Sequence, residues 1–215
     1  MEHLYKLLQE AYCLTELDCG EYSRQKLNGM TFHIKAFRAQ GLGHISLMQA
    51  SGLLGLMSMD TLIVNPAGLD MPLLSYDRVI AMRKDTLIYE LYDTLLGPAD
   101  LSALRNVQTR YEKLPAHDLG EHWYDPIKLP ESLSKKGNKK QHAAFDTCAR
   151  EYLAAYLTAA KSAPACDPAA KQKKSAVYVE GLLSHGGPST DVFLKALGRE
   201  KTGELFRTFL FGTEI

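Results

Sequence analysis

The sequence predicts an α+β protein, with an antiparallel sheet laid down first and helices placed over it afterwards. Three observations carry this. Apolar and polar residues alternate with period two in five runs between Met30 and Tyr92. The runs are joined by turns too short for the crossovers that parallel strands need, so they form a meander. After Gly97-Pro98 the spacing lengthens to that of helices, and strands followed by helices is the α+β order.

Taken in order, Met1 to Cys19 carries apolar residues at helical spacing, with Leu4, Leu7, Leu8, Ala11 and Tyr12 on one face. Asn28-Gly29 is a turn, and the strand run Met30 to Arg38 follows it. Gly41 and Gly43 turn the chain into Gly43–Ser51, where Ile45 and Leu47 oppose His44, Ser46 and Met48. A turn over Gly52 to Gly55 leads to Leu56–Val64, and Asn65-Pro66-Ala67-Gly68 is turn chemistry again. Leu73–Met82 and Asp85–Tyr92 complete the meander. Asp100 to Arg110 reads as a helix with Asp100 as its cap. Residues 111 to 142, polar and basic, read as a long surface loop. Gln141 to Ala160 is a helix with Phe145, Cys148, Tyr152, Tyr156 and Leu157 facing inward. A Pro-bearing spacer, Ser162 to Ala170, precedes a helix over Lys171 to Leu183. The chain breaks at His185-Gly186-Gly187-Pro188 and closes with a helical segment, Thr190 to Phe211. The length fits one domain over residues 1–215, or two small ones.

Composition excludes several classes. The chain holds 25 Lys plus Arg against 25 Asp plus Glu, a formal net charge of zero, which argues against nucleic-acid binding driven by overall charge. Hydrophobic residues are 46% and charged residues 23%, values of a globular chain able to bury a core. No apolar run approaches the roughly 18 residues of a membrane helix, and Met1 to Glu10 lacks the pattern of a signal peptide. Cys13, Cys19, Cys148 and Cys166 make no C-x-x-C pair and read as free thiols in a reducing cytoplasm. There is no G-x-G-x-x-G, Walker A or G-x-S-x-G motif, and the histidines do not fall at metal-ligand spacing, so no metal is expected. Gly41-Leu42-Gly43 reads as a hairpin turn rather than a phosphate cradle.

Two carboxylates stand out, Asp60 and Asp77, each inside a largely apolar strand. As antiparallel neighbours these strands could bring the two side chains together. Burial would raise such a carboxyl's pKa and make it a proton donor near neutrality. Equally, Asp77 could pair with Arg78 or another cation, or point to solvent. Two lysine clusters, Lys135, Lys136, Lys139 and Lys140, then Lys171, Lys173 and Lys174, are either solvated surface or a docking patch for an acidic protein.

The order Met59-Asp60-Thr61-Leu62-Ile63-Val64-Asn65-Pro66, then Met71-Pro72-Leu73-Leu74-Ser75-Tyr76-Asp77-Arg78-Val79, resembles the central strands of the ferredoxin-dependent bilin reductases. The tail from Phe193 to Glu200 and from Phe206 to Phe211 resembles that family's closing helix. The resemblance implies an α/β/α sandwich, a central antiparallel sheet flanked by helices, with a pocket for a linear tetrapyrrole such as biliverdin. It implies no bound metal, flavin or nicotinamide: electrons come from an external reduced ferredoxin or flavodoxin, here docking on the lysine clusters, and the protein supplies protons. Asp77 matches the family's catalytic aspartate, Asp60 falls at a catalytic histidine position, and Asp93 resembles the aspartate closing the next strand. Met48, Met59 and Val79 would form apolar walls, and His185 would stand at the break where the family places a pocket element. That break, His185-Gly186-Gly187-Pro188-Ser189, holds no carboxylate, and Met48 stands near an acidic family position. The Gly186-Gly187 departure favours a second reading, a non-catalytic tetrapyrrole or haem-breakdown binding protein on the same fold. A reductase of another conjugated substrate is a third.

Overall fold

The computed structural model describes residues 1–52, 55–187 and 189–214. Leu53 and Leu54 of the expected turn, and Pro188 of the expected break, lie outside them. Helix α1 (Glu2–Ala11) leads into strands β1 (Leu14–Leu17) and β2 (Arg24–Leu27). The meander then runs β3 (Met30–Ala39), β4 (Gly43–Gly52), β5 (Met57–Pro66), β6 (Leu73–Ala81) and β7 (Lys84–Tyr92). After α2 (Ser102–Arg110) comes a last strand, β8 (Leu133–Asn138), and then α3 (His142–Ser162), α4 (Pro168–His185) and α5 (Thr190–Glu204). A π-helical turn, Leu205–Leu210, ends the helical part.

All pairings are antiparallel, in the order β1-β3-β4-β5-β6-β7-β8, with β2 on the other half of β3. The expected meander is thus the middle of a wider sheet. Two expectations give way. The N-terminal helix stops at Ala11, because Leu14–Leu17 pairs with Ala36–Ala39 of β3 instead of continuing the coil. The polar stretch 111–142 is not all loop: Leu133–Asn138 pairs with Lys84–Tyr89 and closes the far edge. Lysines on an edge strand also discourage pairing with another chain. Asp100 is not the cap: Leu101 takes the N-cap position of α2, and the Asp100 carboxylate accepts the Ser102 amide at 2.9 Å from one residue further out.

Alternation sorts the strands into two cores. On one face Leu62, Leu74, Tyr76 and Tyr89 pack under α1, α2 and α3, where Phe145, Cys148, Tyr152 and Tyr156 are fully buried. On the other face Ile34, Met48, Ile63 and Tyr92 pack under α4, α5 and the π-helical turn. This is a three-layer α/β/α sandwich. No helix among the described residues is long and apolar enough to cross a membrane.

Candidate active site

The second face is where packing is incomplete. A cavity of about 200 Å³, open on one side, lies between β4–β7 and the C-terminal helices. Its floor follows from strand parity. Met48, then Met59, Thr61 and Ile63, then Ser75, Asp77 and Val79, then Ile88, Glu90 and Tyr92 all project from the same face. Leu119, His122 and Tyr124 form one wall, and Tyr178, Leu182, Phe193 and Phe206 form the roof.

The wall is held by Trp123. Its indole lies against α4 where Gly181 leaves room; a Cβ there would come within 2.2 Å of the ring. Its Nε1–H donates to the Gly186 carbonyl at 3.1 Å. That anchor turns the flanking residues His122 and Tyr124, stacked on each other at 4.8 Å between centroids, toward the cavity. The His122 Nδ1 atom is buried without a hydrogen-bond partner.

Asp77 is the central polar group. It is half-buried, its exposed part opening into the cavity. Its Oδ1 accepts the Thr61 hydroxyl at 2.5 Å from the directly opposite position on β5. No salt bridge among the described residues reaches it; Arg78, one residue on, points to the other face and pairs with Asp85 at 2.5 Å. Burial pushes the Asp77 carboxyl from 3.8 up to about 6, and the nearby Glu90 charge pushes the same way. Hydrogen bonds from Thr61 and Ser75 oppose that rise without cancelling it. Asp77 can therefore hold a proton near neutral pH and release it into the cavity.

Glu90 is the second cavity acid. It is buried, its Oε2 accepts the Tyr92 hydroxyl at 2.6 Å, and its Oε1 has no hydrogen-bond partner. The Lys128 ammonium stands 3.8 Å from Oε1. Sequence reasoning passed over Glu90, although Ile88-Tyr89-Glu90-Leu91-Tyr92 carries the same signal as Asp60 and Asp77, a carboxylate in an apolar strand.

The expected pairing of Asp60 with Asp77 does not occur. Register places Thr61, not Asp60, opposite Asp77, and adjacent residues of a strand point to opposite faces. Asp60 instead binds the Met1 ammonium and the Gln49 amide, each at 3.0 Å, on the far side of the sheet. His185 is likewise outside the cavity: it is exposed and lies against the Trp123 ring, 5.4 Å between centroids. Asp93 is exposed and accepts the Leu95 amide at the end of β7. Met48, Met59 and Val79 do line the cavity. Among the described residues no three His, Cys, Asp or Glu side chains gather as a metal site.

An antiparallel sheet between two helical layers thus holds an acid-bearing cavity under the C-terminal helices. No family model and no curated protein matches the sequence. Among solved structures, the fold is that of phytochromobilin synthase from tomato in complex with biliverdin, with a TM-score of 0.79 over 99% of this chain and 81% of that one. At 12% identity the likeness is one of fold. It is also the fold that the resemblance to the ferredoxin-dependent bilin reductases leads one to expect.

Proposed function

We propose that the chain, as one domain over residues 1–215, binds a linear tetrapyrrole in this cavity and reduces it with electrons from an external acidic ferredoxin or flavodoxin. The observation that carries the reading is Asp77: a carboxyl held near pKa 6 by burial, facing a cavity whose other walls are mainly apolar and aromatic. Each electron added to a conjugated bilin raises its basicity. A buried acid poised near neutrality then gives up its proton to it and returns to carboxylate. The tomato enzyme's biliverdin complex supports the substrate class. The cavity is smaller than a typical ligand pocket, so a tetrapyrrole extends through the open side.

Donor docking falls to a smaller set of cations than the two clusters suggest. Lys136, Lys139 and Lys140 are exposed, and pairing of Lys84 with Asn138 puts Arg83 and Lys84 beside them. Lys171 is fully buried, its ammonium bound to the Met71 and Thr94 carbonyls and to Asp70, so it holds the fold and cannot dock a partner. Lys135 is partly spent on the Glu112 and Leu114 carbonyls. Turnover should fall as salt rises, because charge-steered encounter weakens once the Debye length drops below about 10 Å. Turnover that stays flat with salt removes these lysines from the reading.

The carrier reading has its own support. The break before α5 offers the cavity only Gly187 and Ser189 from its described residues, and the nearest carboxylate, Asp191, turns to the Gly187 amide at 3.4 Å. Anaerobic incubation with biliverdin and a reduced-ferredoxin system separates the two. A shifted long-wavelength band followed by a reduced product supports the reductase. A shifted band alone supports the carrier, and an unchanged spectrum contradicts both.

A further inference from the structure

We infer that Glu90 and Ser75 form a proton path that reloads Asp77 from a second cleft, one that stays open when the main cavity is filled. The inference rests on the proposed reduction, which consumes one proton per electron while Asp77 holds one at a time. A tetrapyrrole in the cavity covers its open side, so Asp77 needs another route to solvent.

Glu90 supplies the geometry, because it borders two spaces. Besides the main cavity, it lines a shallow cleft of about 230 Å³ with His117, Asp118, Lys128 and Ser134, open to solvent beside β7 and β8. Ser75 stands directly opposite Glu90 in the β6–β7 ladder, where side chains approach within about 4.5–5.5 Å at Cβ. Ser75 is also the same-face neighbour of Asp77 on β6, and its hydroxyl helps stabilise that carboxylate. A hydroxyl accepts one proton while donating its own, so Ser75 can link the two acids.

The charged and titratable groups facing Glu90 are Lys128, held by Asp125 at 2.7 Å, Tyr92 on its own strand, Asp77 on β6, Tyr124 and Tyr178, with His117 and Asp118 across the cleft. Solvent entering the open cleft is the source from which the Glu90 carboxylate takes a proton. The Glu90 hydroxyl then gives a proton to Ser75 as Ser75 gives its own to the Asp77 carboxylate. Each transfer makes one O–H bond and breaks one O–H bond, with no change of oxidation state. Glu90 and Ser75 act through Asp77 and are positioning residues for its proton.

The test uses the full chain with Glu90→Gln, and Ser75→Ala as the variant that preserves every charge. Under anaerobic reduction of biliverdin, the first proton transfer should change less than sustained turnover in both, because Asp77 already holds its first proton. Sustained turnover should drop by about tenfold or more, a modest share of what proton-transfer groups typically contribute. Added formate, small enough to enter the cleft, should restore part of the rate to Glu90→Ala and none to Asp77→Ala. Parent-like sustained turnover in both Glu90→Gln and Ser75→Ala overturns the path. A second readout needs no substrate: the Asp77 carboxyl, followed by carbon-13 NMR, should titrate lower in Glu90→Gln than in the parent. If the parent does not reduce biliverdin, the functional reading falls and the path, which serves it, falls with it; if the parent does reduce it, the titration adds the proximity the path needs. A downward shift supports it, and an unchanged titration overturns it.

Discussion

The two faces of one sheet treat charge in opposite ways, and strand β6 shows both within two residues. On the α1–α3 face, Arg78 is buried and paired with carboxylates. It forks onto Asp85 at 2.5 and 2.8 Å, reaches Asp146 at 3.3 Å and lies over the Phe145 ring at 5.3 Å. On the α4–α5 face, Asp77 is met by a hydroxyl and a cavity, with no salt bridge. The first arrangement neutralises a charge to hold helix against sheet. The second leaves a carboxyl poised between its two protonation states. The lesson is that burial alone does not make a site; burial without a counter-ion does.

The cavity face is also tied down differently at its end. His44 Nε2 donates to the Phe209 carbonyl at 2.8 Å, Ser46 donates to Leu210 at 2.7 Å, and the Asn65 amide donates to Phe211 at 2.7 Å. These polar clasps seat the π-helical turn on the strands and leave the apolar middle of that face free to be a pocket.

The largest expected effect on stability lies on the filled face. Arg78→Ala leaves the buried Asp85 carboxylate without its guanidinium, with only the His142 ring at 2.9 Å, which should cost about 3–5 kcal/mol in urea unfolding. Asp77 should titrate as in the parent; a shifted Asp77 would break the separation of the two faces.

On the cavity face the sign reverses. The folded-state value for Asp77, about 6, lies above its unfolded value of 3.8, so the folded state binds the proton more tightly. That preference is fully present below pH 3.8 and is lost as pH rises through 6, so Asp77 lowers stability at neutral pH. Asp77→Asn should therefore be more stable than the parent at pH 8, by up to about 3 kcal/mol, and equal to it near pH 3. Thermal unfolding of both proteins across that range checks it, and a variant less stable at pH 8 would make Asp77 a structural ion-pair partner.

The smallest effect belongs to Asp60. Its pair with the Met1 ammonium is only partly buried, and Asp60→Asn should change stability by about 0.2–1 kcal/mol and leave bilin turnover unchanged. Altered product in that variant would return Asp60 to the site.

Much of the fold was legible because alternation is a strong signal where one face is buried, as in β3 to β7. The edge strand β8 was not, since Ser-Lys-Lys-Gly-Asn reads as loop until a partner strand supplies its hydrogen bonds. The site was half legible. Asp77, Met48, Met59 and Val79 were visible as residues in apolar strands, but which neighbour faces Asp77 depends on register, set by the Ala67–Pro72 connection. A slip of one residue would have exchanged Thr61 for Asp60. His122 and Tyr124 lie on an irregular segment placed by Trp123, and nothing local in the sequence marks them.

The central claim is that Asp77 delivers the proton to a bound, electron-rich tetrapyrrole. The most direct measurement is anaerobic reduction of biliverdin by Asp77→Asn, followed by absorption and electron paramagnetic resonance. Asn keeps the shape but cannot donate the acid proton. Biliverdin should bind as in the parent, a one-electron bilin radical should accumulate, and the two-electron product should fall by about 10²- to 10⁴-fold. Parent-like product formation without a radical would contradict the assignment of Asp77.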